Sequence, residues 1–256
     1  MKPMTRALFF AALGAFALCS TVAQADTIKV LTAGAFKQVV VAMAPAFEAR
    51  TGHKLDIQND TAGALLRRVG AGETFDVLML TPAALLTLAS AGRVLPDSVT
   101  PLAKVGIGVA VKAGAPKPRI DTVADFKQTL LDARKVAYID PAAGGSSGIY
   151  LDGLFQRMGI AEAIRAKAVL VPGGLVAERL VTGEADLAVH QISEILPVKG
   201  VELVGPLPAE VQNETTYAGA VAADTAHVEA ARSLLAAMTG PDAAATLAGK
   251  GMSPAR

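Results

Sequence analysis

Three features of this 256-residue sequence carry groups able to do chemistry. The first is His190, which ends the apolar run Leu187-Ala188-Val189-His190 and precedes Gln191. An imidazole at the end of a strand enters the space beyond the sheet, where it can donate to an anion or shuttle a proton. The same residue can equally be a hydrogen-bonded structural histidine. The second feature is a set of four turns made of tiny residues: Thr32-Ala33-Gly34-Ala35, Asp60-Thr61-Ala62-Gly63, Gly144-Gly145-Ser146-Ser147-Gly148 and Pro172-Gly173-Gly174. Small side chains let backbone N–H groups come close to a ligand, and Thr61, Ser146 and Ser147 add neutral hydroxyl donors. One such turn is an ordinary connection, but four in one chain suit a shared small anion. No Lys or Arg lies within them, so helix starts would balance the charge. The third feature is the match of residues 144–148 to G-x-S-x-G. A nucleophile elbow needs the strand to run straight into the turn, and Asp140-Pro141-Ala142-Ala143 intervenes. No Gly-Lys-Ser/Thr follows, so a P-loop is excluded as well. His53 and His227 read as solvated, and without a His/Asp/Glu cluster at ligand spacing neither a metal site nor a cofactor is expected.

The elements that must carry these groups alternate between short β-rich runs and helical patterns, as in an α/β fold with a parallel sheet. Strands are predicted at 27–31, 54–58 and 77–80, with helices after each: 36–47 at helical spacing, 61–69, and one starting at Pro82. Residues 104–111 read as one longer strand, followed by Gly114, Pro116 and Pro118, which places a first crossover there. A second set has strands at 136–139, 169–171 and 187–190 and helices at 122–131, 147–158 and 175–182. The stretch 198–208 reads as the return crossing. A strand at 215–221 and an amphipathic helix at 228–238 follow, packing back on the first set. The expected division is 26–104 plus 199–256 as lobe 1 and 105–198 as lobe 2, with the ligand cleft between them. A ligand touching both lobes would then close them about two crossover segments.

At 52% hydrophobic and 18% charged, the chain has ample material for a core and too little charge for a disordered protein. No Lys/Arg cluster offers a polyanion a basic surface, so nucleic acid is not an expected partner. Residues 1–25 read as a secretory signal: Lys2 and Arg6, an apolar run over 7–18, and Ala23-Gln24-Ala25 as a cleavage site. That run is shorter than the roughly 20 residues a bilayer span requires. Cleavage would leave a mature chain beginning near Asp26 in the periplasm. Lys2 and Arg6 are two of the 24 basic residues set against 23 acidic ones, so without them the net charge falls to about −1. Cys19, the single cysteine, lies in this segment behind Leu18, where a lipid-anchored precursor carries Gly or Ala. The mature chain would have no thiol and hence no disulfide.

The runs Ile28-Lys29-Val30-Leu31-Thr32-Ala33-Gly34-Ala35, Phe75-Asp76-Val77-Leu78-Met79-Leu80-Thr81 and Ser147-Gly148-Ile149-Tyr150 resemble those of periplasmic solute-binding proteins, in the class that includes molybdate-binding proteins of ABC transporters. The resemblance covers the whole mature chain. It implies the two-lobed type II periplasmic binding protein fold, a small anionic ligand, ABC-transporter membrane subunits as partners, and a monomer. Molybdate binders of this class use serine hydroxyls and amides of the first two loops and a tyrosine near the return crossing. Here Ala33, Gly34 and Ala35 offer no hydroxyl, and His190 stands about where the tyrosine is expected. The runs 190–197 and 204–212 look like a subgroup that includes a periplasmic aconitate isomerase besides many binders. Two functions are thereby implied. The leading one is a binding protein for an oxyanion or a di- or tricarboxylate, held by Ala33, Gly34, Ala35, Thr61, Ala62, Ser146, Ser147, Gly148, Gly173, Gly174, His190 and Gln191. The other is a cofactor-free isomerase moving a proton across aconitate, with His190 as base and Tyr150 or Glu194 as further candidates.

Overall fold

The computed structural model describes residues 26–255. The expected signal segment, with Cys19, lies outside the described residues. Strand β1 (Thr27–Ala33) leads into helix α1 (Gly34–Thr51), β2 (Lys54–Asp60) into α2 (Ala62–Gly70), and β3 (Val77–Leu80) into α3 (Pro82–Ser90). β1 pairs in parallel with both β2 and β3, and every residue of β3 is buried, as a strand covered on both faces requires. Local chemistry sets the helix ends. Gly52, at φ 78°, closes α1 by donating its N–H to the Glu48 carbonyl, and the Thr61 hydroxyl caps α2 by accepting from the Ala64 N–H at 3.2 Å. Pro82 opens α3 at a position that needs no N–H.

The predicted strand over 104–111 is in fact two. β4 (Thr100–Val105) lies in one sheet and β5 (Ile107–Lys112) in another, with Gly106 alone between them. Apolar residues line both halves, so hydrophobic pattern could not reveal the change of sheet. The second set then runs α4 (Val123–Asp132), β6 (Val136–Ile139), α5 (Ser146–Arg157), α6 (Ala161–Arg165), β7 (Ala168–Val171), α7 (Glu178–Val181), β8 (Leu187–Gln191) and α8 (Ile192–Ile195). The stretch 198–208, expected as the return crossing, instead carries β9 (Val201–Pro206), antiparallel to β5. β9 is an edge strand, where Pro206 and Gly205 are tolerated because one side of the ladder is open. The chain crosses back after it into β10 (Thr215–Val221), which lies antiparallel between β3 and β4. Then follow α9 (Val228–Ala237), α10 (Pro241–Gly249) and the short β11 (Ser253–Pro254) beside β4.

The result is two lobes, one built on a six-stranded sheet ordered β11-β4-β10-β3-β1-β2 and one on a five-stranded sheet ordered β7-β6-β8-β5-β9. Each has its own apolar core, around Phe36, Phe47 and Leu78 in the first and around Phe126, Tyr138 and Phe155 in the second. Among the described residues no helix is long and apolar enough to cross a membrane. Where the two crossings run side by side, the Gln212 side chain accepts from the Ile107 N–H and donates to the Ile107 carbonyl, both at 2.9 Å. A side chain here completes a backbone ladder. Gly106 makes room for it, since a Cβ there would stand 3.1 Å from Gln212 Nε2. Replacing Gln212 by Ala removes the side-chain acceptor of the buried Ile107 N–H, while the carbonyl keeps the Leu207 N–H at 3.0 Å; the expected loss is about 1–3 kcal/mol, to be measured by urea denaturation.

Candidate functional site

The starts of α1, α2 and α5 and the end of β8 open onto one hollow between the lobes. Ala33, Gly34, Ala35, Thr61, Ala62, Ser146, Ser147, Gly174, His190, Gln191 and Glu194 all line it. Three expected residues do not. Gly148 packs α5 against β6, where any Cβ would strike the Ile139 carbonyl oxygen. Tyr150 turns away: its hydroxyl donates to the Val211 carbonyl at 2.8 Å and its ring lies under Arg157, packed on the second core. Gly173 sits beside the hollow, facing the other lobe, where a Cβ would come 3.9 Å from Asp60 Oδ1. The G-x-S-x-G match has no elbow, because residues 140–145, including the turn Pro141–Ala143, separate β6 from α5.

The lobes touch at the mouth of this hollow. Thr61 Oγ1 donates to the Ala143 carbonyl at 2.6 Å, and the Gly63 N–H donates to the Gly144 carbonyl at 3.0 Å. Only glycine permits the approach, since a Cβ on Gly63 would stand 2.8 Å from the Gly144 Cα. A third bond, from Ser193 Oγ to the Ala35 carbonyl at 2.8 Å, ties α8 to the start of α1.

Inside, Gln191 Nε2 donates to Thr215 Oγ1 at 3.0 Å and to Ser146 Oγ at 3.2 Å, and Ser146 Oγ shares a hydrogen bond with the Tyr217 hydroxyl at 3.2 Å. Two hydroxyls sharing one bond leave one O–H free for a ligand. Sequence reasoning missed Tyr217, as well as Asn59, Asp60 and Ile139, which also line the hollow. The signal for Tyr217 was a polar tip on a buried strand, which needs a partner. Burial raises its pKa, and the nearby Glu194 carboxyl raises it further.

His190 and Glu194 form the centre of the site. Nε2 and Oε2 are 3.2 Å apart, and the side chains are 1% and 10% exposed. No lysine or arginine is among the residues lining the hollow. Burial alone therefore pushes the imidazole pKa down and the carboxyl pKa up. Nε2 and Oε2 stand within reach of one another for a proton to pass between them. His190 Nδ1 and Gln191 Oε1 are buried without a partner, an arrangement that a bound ligand would complete. Among the described residues no group of three or more His, Cys, Asp or Glu could hold a metal ion.

Residues 28–253 match the family of bacterial extracellular solute-binding proteins. The chain belongs to this family. An aconitate isomerase of a Pseudomonas species is 39% identical over 253 residues, 95% of each chain. Among solved structures, the periplasmic molybdate-binding protein of Azotobacter vinelandii superposes with a TM-score of 0.74 at 21% identity, covering 88% of this chain and 98% of that one. The sulfate-binding protein of Mycobacterium tuberculosis gives a TM-score of 0.72 at 19% identity, covering 90% and 87%. At such identities these two establish the two-lobed type II fold of this solute-binding protein.

Two outcomes are expected from this geometry. Gly63→Ala blocks contact of the lobes and should weaken binding by roughly tenfold or more, about 1.4 kcal/mol, measured by calorimetry. The second concerns pH. A carboxyl whose folded pKa lies above its ordinary value near 4.5 stabilises the fold fully below that value and loses the contribution as pH rises. Glu194→Gln does not titrate, so its stability relative to the wild type should climb with pH above the ordinary carboxylate range. Thermal melts at stepped pH check this.

Proposed function

We propose that this solute-binding protein is an exported, periplasmic isomerase that interconverts cis- and trans-aconitate by moving a proton between the two allylic carbons. The observation that carries the reading is the buried His190–Glu194 pair in a hollow lined by helix starts. A binder needs only neutral donors, whereas burying an acid and a base without a cation costs stability, and such groups cluster where chemistry uses them. The isomerase of the Pseudomonas species, related along almost the whole chain, supports the choice of substrate.

The reaction needs no oxidant and breaks no bond to oxygen. In the form of the pair that has lost one proton, Nε2–H donates to the Glu194 carboxylate and the Nδ1 lone pair is free. His190 takes a proton from the methylene carbon beside the double bond. The electron pair spreads over the allylic carbons and into the adjoining carboxylates, the double bond shifts, and the same imidazolium returns the proton to the far carbon. Glu194 stabilises the imidazolium meanwhile. The free O–H of Ser146 and Tyr217, with the amides at the starts of α2 and α5, faces the charge that develops on the carboxylates. Ala62 and Ser147 belong to that cradle, whereas the Thr61 hydroxyl is spent on the Ala143 carbonyl and its N–H on Asp60 Oδ1.

A second reading, a periplasmic binding protein delivering a small anion to ABC-transporter membrane subunits, is favoured by the bonds that join the lobes across the mouth. Incubation with trans-aconitate, followed by chromatography of the cis isomer, separates the two. Conversion is expected in the wild type. His190→Gln should lower kcat by about 10²–10⁴-fold with substrate affinity nearly unchanged. Binding without any conversion at high protein concentration would leave the transport reading in place of the isomerase.

A further inference from the structure

The hollow holds more hydrogen-bond acceptors than a site for an inorganic anion should. Glu194 points Oε2 at His190 and turns Oε1 toward the first tiny turn, where a Cβ built on Gly34 would stand 2.5 Å from it. Oε1 thus occupies the start of α1, an 18-residue helix whose first N–H groups would otherwise meet a ligand. Ionised, the carboxyl presents negative charge there. Protonated, it commits its hydrogen to His190 and still presents an acceptor. Gln191 Oε1 is a second buried acceptor, unpartnered because its Nε2 is held by Thr215 and Ser146. Asp60 brings a further carboxyl to the lining.

A tetrahedral dianion such as sulfate or molybdate is fully ionised near neutral pH and offers acceptors only. Placed in this hollow it sets its lone pairs against those of Glu194 Oε1 and Gln191 Oε1, with no lysine or arginine in the lining to relieve them. A polycarboxylate differs in kind. Its carboxyl groups titrate in the mildly acidic range, so a buried one readily keeps a hydrogen and donates it.

We infer that Glu194 sets the specificity of the site: its carboxyl, seated over Gly34, excludes acceptor-only tetrahedral oxyanions and admits a small polycarboxylate that carries one proton. The inference deepens the isomerase reading and rests on it for the identity of the substrate. Titration calorimetry near pH 7 with trans-aconitate, sulfate and molybdate tests it on purified protein. The wild type should bind neither inorganic anion as tightly as trans-aconitate. Glu194→Ala should gain roughly tenfold or more in affinity for sulfate or molybdate, the ratio produced by removing about 1.4 kcal/mol of repulsion. If that variant does not fold, Glu194→Ser, which leaves a hydroxyl donor near the helix start, carries the same expectation. Tight binding of sulfate or molybdate by the wild type, or a folded variant with no gain, overturns the proposal. A wild type that ignores trans-aconitate while the variant gains the oxyanions would defeat the isomerase reading and leave the exclusion by Glu194 standing.

Discussion

A carboxyl and an imidazole closed off from water with no cation beside them constrain everything around them. Alone, either group would be costly to bury in charged form. Together, His190 and Glu194 face each other across 3.2 Å, and that pairing requires the end of β8 to meet the short α8 at the start of α1. Ser193 fixes the junction through the Ala35 carbonyl, and Gly34 leaves room for the carboxyl because it has no side chain. The turn that looks like a plain anion cradle in sequence is therefore also the seat of an acid.

The groups that line the hollow come from both lobes. Thr61, Gly34 and Tyr217 come from the six-stranded lobe, whereas Ser146, Gln191 and His190 come from the five-stranded one. The hollow exists only while the lobes meet, and the Gly63–Gly144 contact decides how closely they do. Behind it, Gln212 spans the two crossings and completes the backbone of Ile107, so the hinge is held by specific bonds as well as by chain connectivity. Ligand binding and lobe closure are then linked equilibria.

The family fold by itself does not select between carrying a molecule and converting it. Helix starts and neutral hydroxyls hold an anion equally well in both cases. What distinguishes the two here is a titratable pair placed where a carrier would need only a donor, and a buried Nδ1 left without a partner. The step from carrier to catalyst on such a scaffold is small in sequence and large in chemistry, because one base near an acidic carbon suffices.

Local patterns in the sequence already determined much of this. The continuous apolar run of β3, the proline that opens α3 and the tiny turns after β1, β2 and β6 are set by nearest neighbours, and each was readable without coordinates. His190, Gln191 and Glu194 were each visible as candidates. The tertiary structure alone decided the split of one apolar run at Gly106 into strands of different sheets, and the placement of β9 beside β5. It alone brought Tyr217 to Ser146 and turned Tyr150 away. It alone joined His190 to Glu194, since one ends a strand and the other lies in a helix, so neither the period of two nor that of 3.6 relates them. Periodicity reports which face of an element is buried. It carries no information about which distant element will cover that face, and Ser146 with Tyr217 is such a distant pair.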